Sequence, residues 1–175
     1  MPELNRITEI NYLNAVSFET NFRRIPKTSF TCTSVTVPSL ALGVTNYASL
    51  FSDLPIEGDK ILYEQLSINF IISEDFSNYL EIYNWITSIG FPDNFQQFSL
   101  KESLAAASGT DTLKSDMSII VNTNKSNPNY EILFKDAFPT TLGSVDFNAG
   151  SASIDPIIVQ ATFAFAGRFT ITKIT

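Results

Sequence analysis

Apolar and polar positions alternate most regularly over Ile61–Ile72, where Leu62, Leu66, Ile68, Phe70 and Ile72 fall on one face and Tyr63, Gln65, Ser67 and Asn69 on the other. Side chains of a strand point alternately to its two faces, so this spacing predicts a half-buried strand. The period then lengthens. Phe76, Tyr79, Leu80, Tyr83, Ile86 and Ile89 follow the three-and-four spacing of an amphipathic helix over about residues 75–89, with Ser73 or Asp75 as its cap and Gly90 and Pro92 as its stop. Trp85 lies off the centre of that stripe, which leaves it to pack on a flanking segment, a strand edge or another subunit.

The same reading finds strand material in Ala15–Phe22, a break at Arg23–Lys27, and a β-branched run, Ser29–Val37, closed by Pro38. Ser115–Asn122 and Asn129–Lys135 flank a segment of Asn, Ser and Pro and predict an antiparallel hairpin, with Met117, Ile119 and Val121 facing the same core as Tyr130, Ile132 and Phe134. The longest alternation comes last. Val159, Ala161, Phe163, Phe165, Gly167, Phe169 and Ile171 share one face, against Gln160, Thr162, Ala164, Ala166, Arg168, Thr170 and Thr172. Between these strands lies Phe134–Phe147, where Pro139 and Gly143 predict a redirecting connection anchored in the core by Phe138 and Leu142.

Three segments lack a sustained period: an N-terminal arm (1–14), an excursion (38–60) and a variable loop (93–112). With 175 residues and neither repeats nor a low-complexity linker, the expected organisation is one domain. Its class is α+β, a mainly antiparallel β sandwich or barrel with one principal α-helix.

Composition narrows the chemistry. The chain has no His, which removes the usual general base near neutral pH and the commonest metal ligand. Cys32 is the sole cysteine, so no disulfide forms within the chain and no multi-thiolate metal site exists. The segment Pro139–Ser144 has neither the spacing nor the Lys of a phosphate loop. No catalytic, cofactor or metal constellation emerges, and no enzyme is expected. The only carboxylates for a hydrolase or calcium site are Glu74 with Asp75, and Asp53, Glu57 and Asp59; none has the required spacing. The net charge of −7 opposes tight nucleic-acid binding. No apolar run approaches the roughly 18 residues of a membrane span. The N-terminus shows no secretory pattern, which predicts cytoplasmic synthesis.

In order along the chain, several segments resemble the tail tube proteins of contractile-tailed bacteriophages: "FTCTSVTVPSLALG", "IEGDKILYEQLSINFIISEDFSNYLEIYNWI", "SDMSIIVNTNKSNPNYEILFKDAFPTTLGSVDF" and "IIVQATFAFAGRFTI". The resemblance spans about residues 15–173 and implies a structural virion protein of a phage tail, made in the host cytoplasm. Hexameric rings would stack into a DNA-conducting tube, in contact with sheath, baseplate or other tail proteins, with no cofactor. It also implies that Leu40–Lys60 reaches a neighbouring ring, through Leu40, Leu42, Val44, Tyr47, Leu50 and Phe51. Trp85, Phe138, Pro139 and Leu142 are its signature packing positions. A tube initiator at the baseplate or a head-proximal completion ring fits the same resemblance. From another class, the many strands with Tyr47, Tyr63 and Trp85 fit a carbohydrate-binding β module.

Overall fold

The computed structural model describes residues 12–90, 113–150 and 155–174. In chain order their elements are β1 (Phe18–Phe22), α1 (Pro26–Phe30), β2 (Cys32–Thr36), β3 (Leu40–Ala48), β4 (Asp53–Tyr63), β5 (Leu66–Ile71), α2 (Ser77–Gly90), β6 (Ser115–Asn122), β7 (Pro128–Leu142), β8 (Ile158–Ala164) and β9 (Thr170–Lys173). Every strand pairing is antiparallel. One path runs β1-β6-β7-β8-β5-β2, with β9 also on β7, while β3 and β4 form a separate two-stranded sheet. The large sheet folds over a core but does not close into a barrel. Its ends, β1 and β2, are bridged by α1, where the Thr20 hydroxyl donates to the Ser29 carbonyl and the Ser29 hydroxyl donates to that of Thr20.

β7 makes the fold. Its first half pairs with β6 as far as Ala137, and its second half pairs with β8 from Phe138 onward. At the junction Asp136 adopts φ 53°, a left-handed conformation that bends the strand, and its N–H donates to the Asp116 carboxylate at 3.0 Å. A strand that changes partners at such a bend forms the corner between two sheet layers. The expected redirecting connection at Phe134–Phe147 is therefore a continuous strand as far as Leu142. Pro139 is tolerated beside a register irregularity between Pro139 and Thr141, where a ladder accepts a residue without an N–H.

Other expectations shift for local reasons. Ser29 and Phe30 belong to α1, because Pro26 presets the first helical turn and the buried Thr28 hydroxyl donates to the Asn78 carbonyl of α2. Strand β2 thus starts at Cys32, and an irregularity between Cys32 and Ser34 interrupts its alternation. Ile61–Ile72 divides at Glu64–Gln65 into β4 and β5, which lie in different sheets, and Leu62 is exposed. The terminal alternation breaks at Gly167, φ 74°, so that β8 and β9 pair with successive halves of β7 and Ile171 is exposed. The β6–β7 hairpin pairs Met117 with Phe134, Ile119 with Ile132 and Val121 with Tyr130, as expected.

Helix α2 covers the core with a face rotated from the expected one. Asn78, Ile82, Trp85 and Ser88 are buried, whereas Leu80 and Tyr83 are exposed. The buried Asn78 is satisfied on both ends: its Nδ2 donates to Thr31 Oγ1 at 2.8 Å and the Ile71 carbonyl at 2.7 Å, and its Oδ1 accepts from the Ser73 and Tyr79 N–H groups. A buried amide is tolerated on those terms. Before the helix, the Ser77 N–H donates to Asp75 Oδ1, which holds that carboxylate below its usual range.

Burial pushes the Cys32 thiol up to about 11. Only the thiolate is nucleophilic, and below that value the thiol stays protonated. Iodoacetamide at pH 8 is therefore expected to label Cys32 about a hundredfold more slowly than a free thiol, with the rate rising about tenfold per pH unit. Labelling at the free-thiol rate, followed by mass spectrometry of the native protein, would contradict the half-buried placement.

Candidate assembly interface

Strands β3 and β4 stand outside the hydrogen-bonding network of the large sheet. Tyr63 anchors their base, with edge-on contacts to Phe165 (6.2 Å) and Phe169 (5.8 Å), which pack in turn on Phe134. Nearby, the Glu64 N–H donates to the Ser39 carbonyl. From this base the hairpin runs to a tip at Ser49–Ser52.

Register assigns its faces, because directly paired residues project to the same side. Near the base, Leu40 and Leu42 pair with Tyr63 and Ile61 on one face, and Ala41 pairs with Leu62 on the other. Beyond Gly43, Val44, Asn46 and Ala48 pair with Glu57, Pro55 and Asp53, while Thr45 and Tyr47 pair with Ile56 and Leu54. The distal half thus has one largely polar face and one apolar face. Leu40, Leu42, Val44, Tyr47, Leu54, Ile56, Ile61 and Leu62 are all exposed. At the tip, Leu50 and Phe51 reach 92% and 95% exposure. An isolated two-stranded hairpin is marginal in water, and so many exposed apolar side chains on one small element make it the candidate interaction surface.

A second surface has the opposite character. On the outer face of β2, β5, β8 and the end of β7, Asn69 Nδ2 donates to Ser34 Oγ (2.8 Å), Gln160 Nε2 donates to Ser67 Oγ (2.6 Å), and the Thr140 and Thr162 hydroxyls lie 3.0 Å apart. These side chains are uncharged and are already hydrogen-bonded to one another.

The six proposed contact residues, Leu40, Leu42, Val44, Tyr47, Leu50 and Phe51, all lie on this hairpin or its tip. Sequence reasoning did not single out Leu54, Ile56, Ile61 and Leu62, which are exposed on β4 of the same hairpin. Register with β3 sets Leu54, Ile56 and Ile61 beside Tyr47, Thr45 and Leu42, and puts Leu62 on the opposite face from Ile61, beside Ala41. Trp85 is wholly buried, its Nε1 donating to the Leu113 carbonyl at 3.0 Å and its ring lying 6.0 Å from Phe163. Pro139 is buried, and Phe138 and Leu142 pack against the core. Burial removes Trp85 as an exposed sugar-stacking aromatic, and Tyr63 is engaged by Phe165 and Phe169, so the platform expected of a carbohydrate module is not assembled.

Glu57 and Asp59 lie on β4, whereas Glu74 and Asp75 precede α2. Among the described residues no three His, Cys, Asp or Glu side chains are grouped to hold a metal ion, and no helix is long and apolar enough to cross a membrane. The expected arm includes residues 1–11, and these, with the whole of the 93–112 loop, lie outside the described residues.

The architecture is shared with components of contractile injection systems. The tube-terminating cap of the anti-feeding prophage superposes with a TM-score of 0.63 at 16% identity, covering 99% of this chain and 100% of the cap chain. A chain of the anti-feeding prophage baseplate gives 0.64 at 12% identity, covering 94% and 97%. One from the extended sheath–tube complex of the PVC extracellular contractile injection system gives 0.59 at 16%, covering 93% of each chain. No curated protein matches by sequence. The model of the phage tail tube protein family matches residues 3–170, and the chain belongs to that family of structural tail-tube-type proteins.

Proposed function

We propose that the protein is a ring-forming subunit of the inner tube of a contractile phage tail, with hexameric rings stacked into a conduit for DNA. The hairpin carries this reading. Its apolar side chains, exposed on the isolated subunit, become buried only when another copy or another tail protein covers them. In a ring, the exposed sheet edges also meet neighbouring edges, which converts an aggregation hazard into assembly. The uncharged face of Ser34, Ser67, Asn69, Gln160 and Thr162 suits a lumen wall. It presents hydroxyls and amides already paired with one another, and the net charge of −7 on each copy repels phosphate.

A single specialised ring, terminating or initiating the tube, is the second reading. It is favoured by the end-to-end mutual coverage with the prophage cap chain, 99% and 100%. Copy number in the virion distinguishes the two, a repeating tube subunit being abundant and a terminal ring present once.

Purified protein at high concentration is expected to form rings or stacked rings by electron microscopy, and Leu50→Asp with Phe51→Asp to leave folded monomers by sedimentation. Parent protein that stays monomeric, even when mixed with native tail components, would refute subunit assembly.

A further inference from the structure

We propose that the Leu50–Phe51 tip of one copy docks in an apolar groove on the body of a second copy. The groove has a volume of about 380 Å³, and its lining includes Leu13, Val121, Asn122, Tyr130, Ile132 and Ile171. This inference rests on the assembly reading above and names the receptor for the hairpin.

Three features of the groove match the tip. Its wall is dominated by aliphatic and aromatic side chains from β6, β7, β9 and the segment before β1, of which Leu13, Tyr130 and Ile171 remain exposed. The tip offers two apolar side chains that are almost wholly in water.

The second feature is a buried acceptor. Asn122 is only 5% exposed, and its Nδ2 donates to Glu19 Oε1 at 3.0 Å, which fixes the amide because an ionised carboxylate only accepts. Its Oδ1 is thereby turned away and, buried beside the groove, has no hydrogen-bond partner among the described residues. Such an acceptor is costly to leave unmet. The hydroxyls of Ser49 and Ser52, which flank Leu50 and Phe51, are donors of the right kind.

Charge is the third. Lys173 is the cross-strand partner of Tyr130, and Lys125 follows the lining residue Asn124. In a chain with only 11 basic residues, two therefore stand beside this groove, against one carboxylate, Glu19, already held by Asn122. The arriving hairpin carries Asp53, Glu57 and Asp59 on β4. Opposite charges at the rim set orientation and encounter rate rather than the bulk of affinity. Tip and groove are different patches, so the contact is head-to-tail, and each copy gives one and receives one. Repetition closes a ring or extends a stack.

The test places cysteines at Phe51→Cys and Ile171→Cys in a Cys32→Ser background of the full chain, treated with a short bismaleimide under assembling conditions. The double variant is expected to give a ladder of covalent oligomers. The two single variants mixed together should give dimers and nothing larger. Ile171→Arg, at an exposed position, should keep the subunit folded by circular dichroism and weaken assembly about thirtyfold, the size of one interface hot spot. Lys173→Glu should weaken it further at low salt than at high salt.

Assembled particles that show no interchain product at this pair and tolerate Ile171→Arg would overturn the groove while leaving ring assembly standing. A product confined within single chains would overturn it by seating the tip in its own body. Groove cysteines protected in the monomer until residues 1–11 are removed would overturn it in favour of that segment. Failure of the parent protein to assemble at all removes both the groove and the proposed function.

Discussion

Trp85→Ala is expected to cost about 3–5 kcal/mol, the range for removing a large aromatic from a core. That is a large part of the roughly 5–15 kcal/mol that holds a typical domain together. Several contacts disappear together. The indole is wholly buried, packs 6.0 Å from Phe163 and lies under the Arg24 guanidinium at 4.9 Å. Its Nε1–H satisfies the Leu113 carbonyl. Removing the ring opens a cavity between α2 and β8 and leaves that carbonyl without its donor. It also takes the aromatic face from a guanidinium whose pKa burial already lowers. Trp85→Phe keeps most of the volume and loses the N–H, so its cost should be much smaller, on the order of 1–2 kcal/mol. Urea denaturation followed by circular dichroism measures both. Trp85 is the only tryptophan, so fluorescence cannot follow the variants. An alanine variant within about 1 kcal/mol of the parent would show that the indole does not hold α2 to the sheet.

What the sequence disclosed depended on whether a feature was local. The β6–β7 hairpin was legible because alternation and a turn of Asn, Ser and Pro lie within one short stretch. The presence of α2 was legible too, but not its buried face, because two of the four buried positions are polar. Asn78 and Ser88 look like solvent positions until Thr31 and Ile71 are seen to meet the first, and the Trp85 carbonyl to accept from the second. Alternation also says nothing about sheet membership, so the uninterrupted pattern of Ile61–Ile72 concealed a change of sheet after Tyr63. In β7, Asp136 and Pro139 look like breakers, yet one forms the bend and the other sits at an irregularity in the ladder.

The hairpin posed a different difficulty. An apolar stretch in a sequence is consistent with a core strand or with a surface awaiting a partner, and only the absence of a covering layer separates them. Leu40, Leu42, Val44, Tyr47, Leu50 and Phe51 were therefore expected as contacts only through family resemblance, whereas the exposure of Leu54, Ile56, Ile61 and Leu62 beside them on β4 is seen only in the fold.

Gly58→Ala is expected to leave the body folded and to abolish assembly, because a Cβ at Gly58 would run into the backbone of Gly43. It would overlap the Gly43 carbonyl oxygen and lie 2.9 Å from its carbon and 3.3 Å from its Cα. Backbone cannot rotate aside as a side chain can, so β3 and β4 must separate or change register where Leu42–Val44 faces Glu57–Ile61. A slip of one residue exchanges the two faces of a strand. Tyr47 and Leu54 would then no longer share a side, and the tip would be aimed differently.

Gly43→Ala is the matched control. Its Cβ would lie 3.5 Å from the Lys60 carbonyl oxygen, an ordinary contact, so the same chemical change should be tolerated there. Because the hairpin pairs with no strand of the large sheet, both variants should melt within about 2 °C of the parent. Sedimentation and electron microscopy should show particles for the parent and Gly43→Ala, and monomers for Gly58→Ala. If Gly58→Ala assembled as the parent does, the close crossing of β3 and β4 would have no part in presenting the tip. If it melted far below the parent, the hairpin would be part of the core that holds the subunit together.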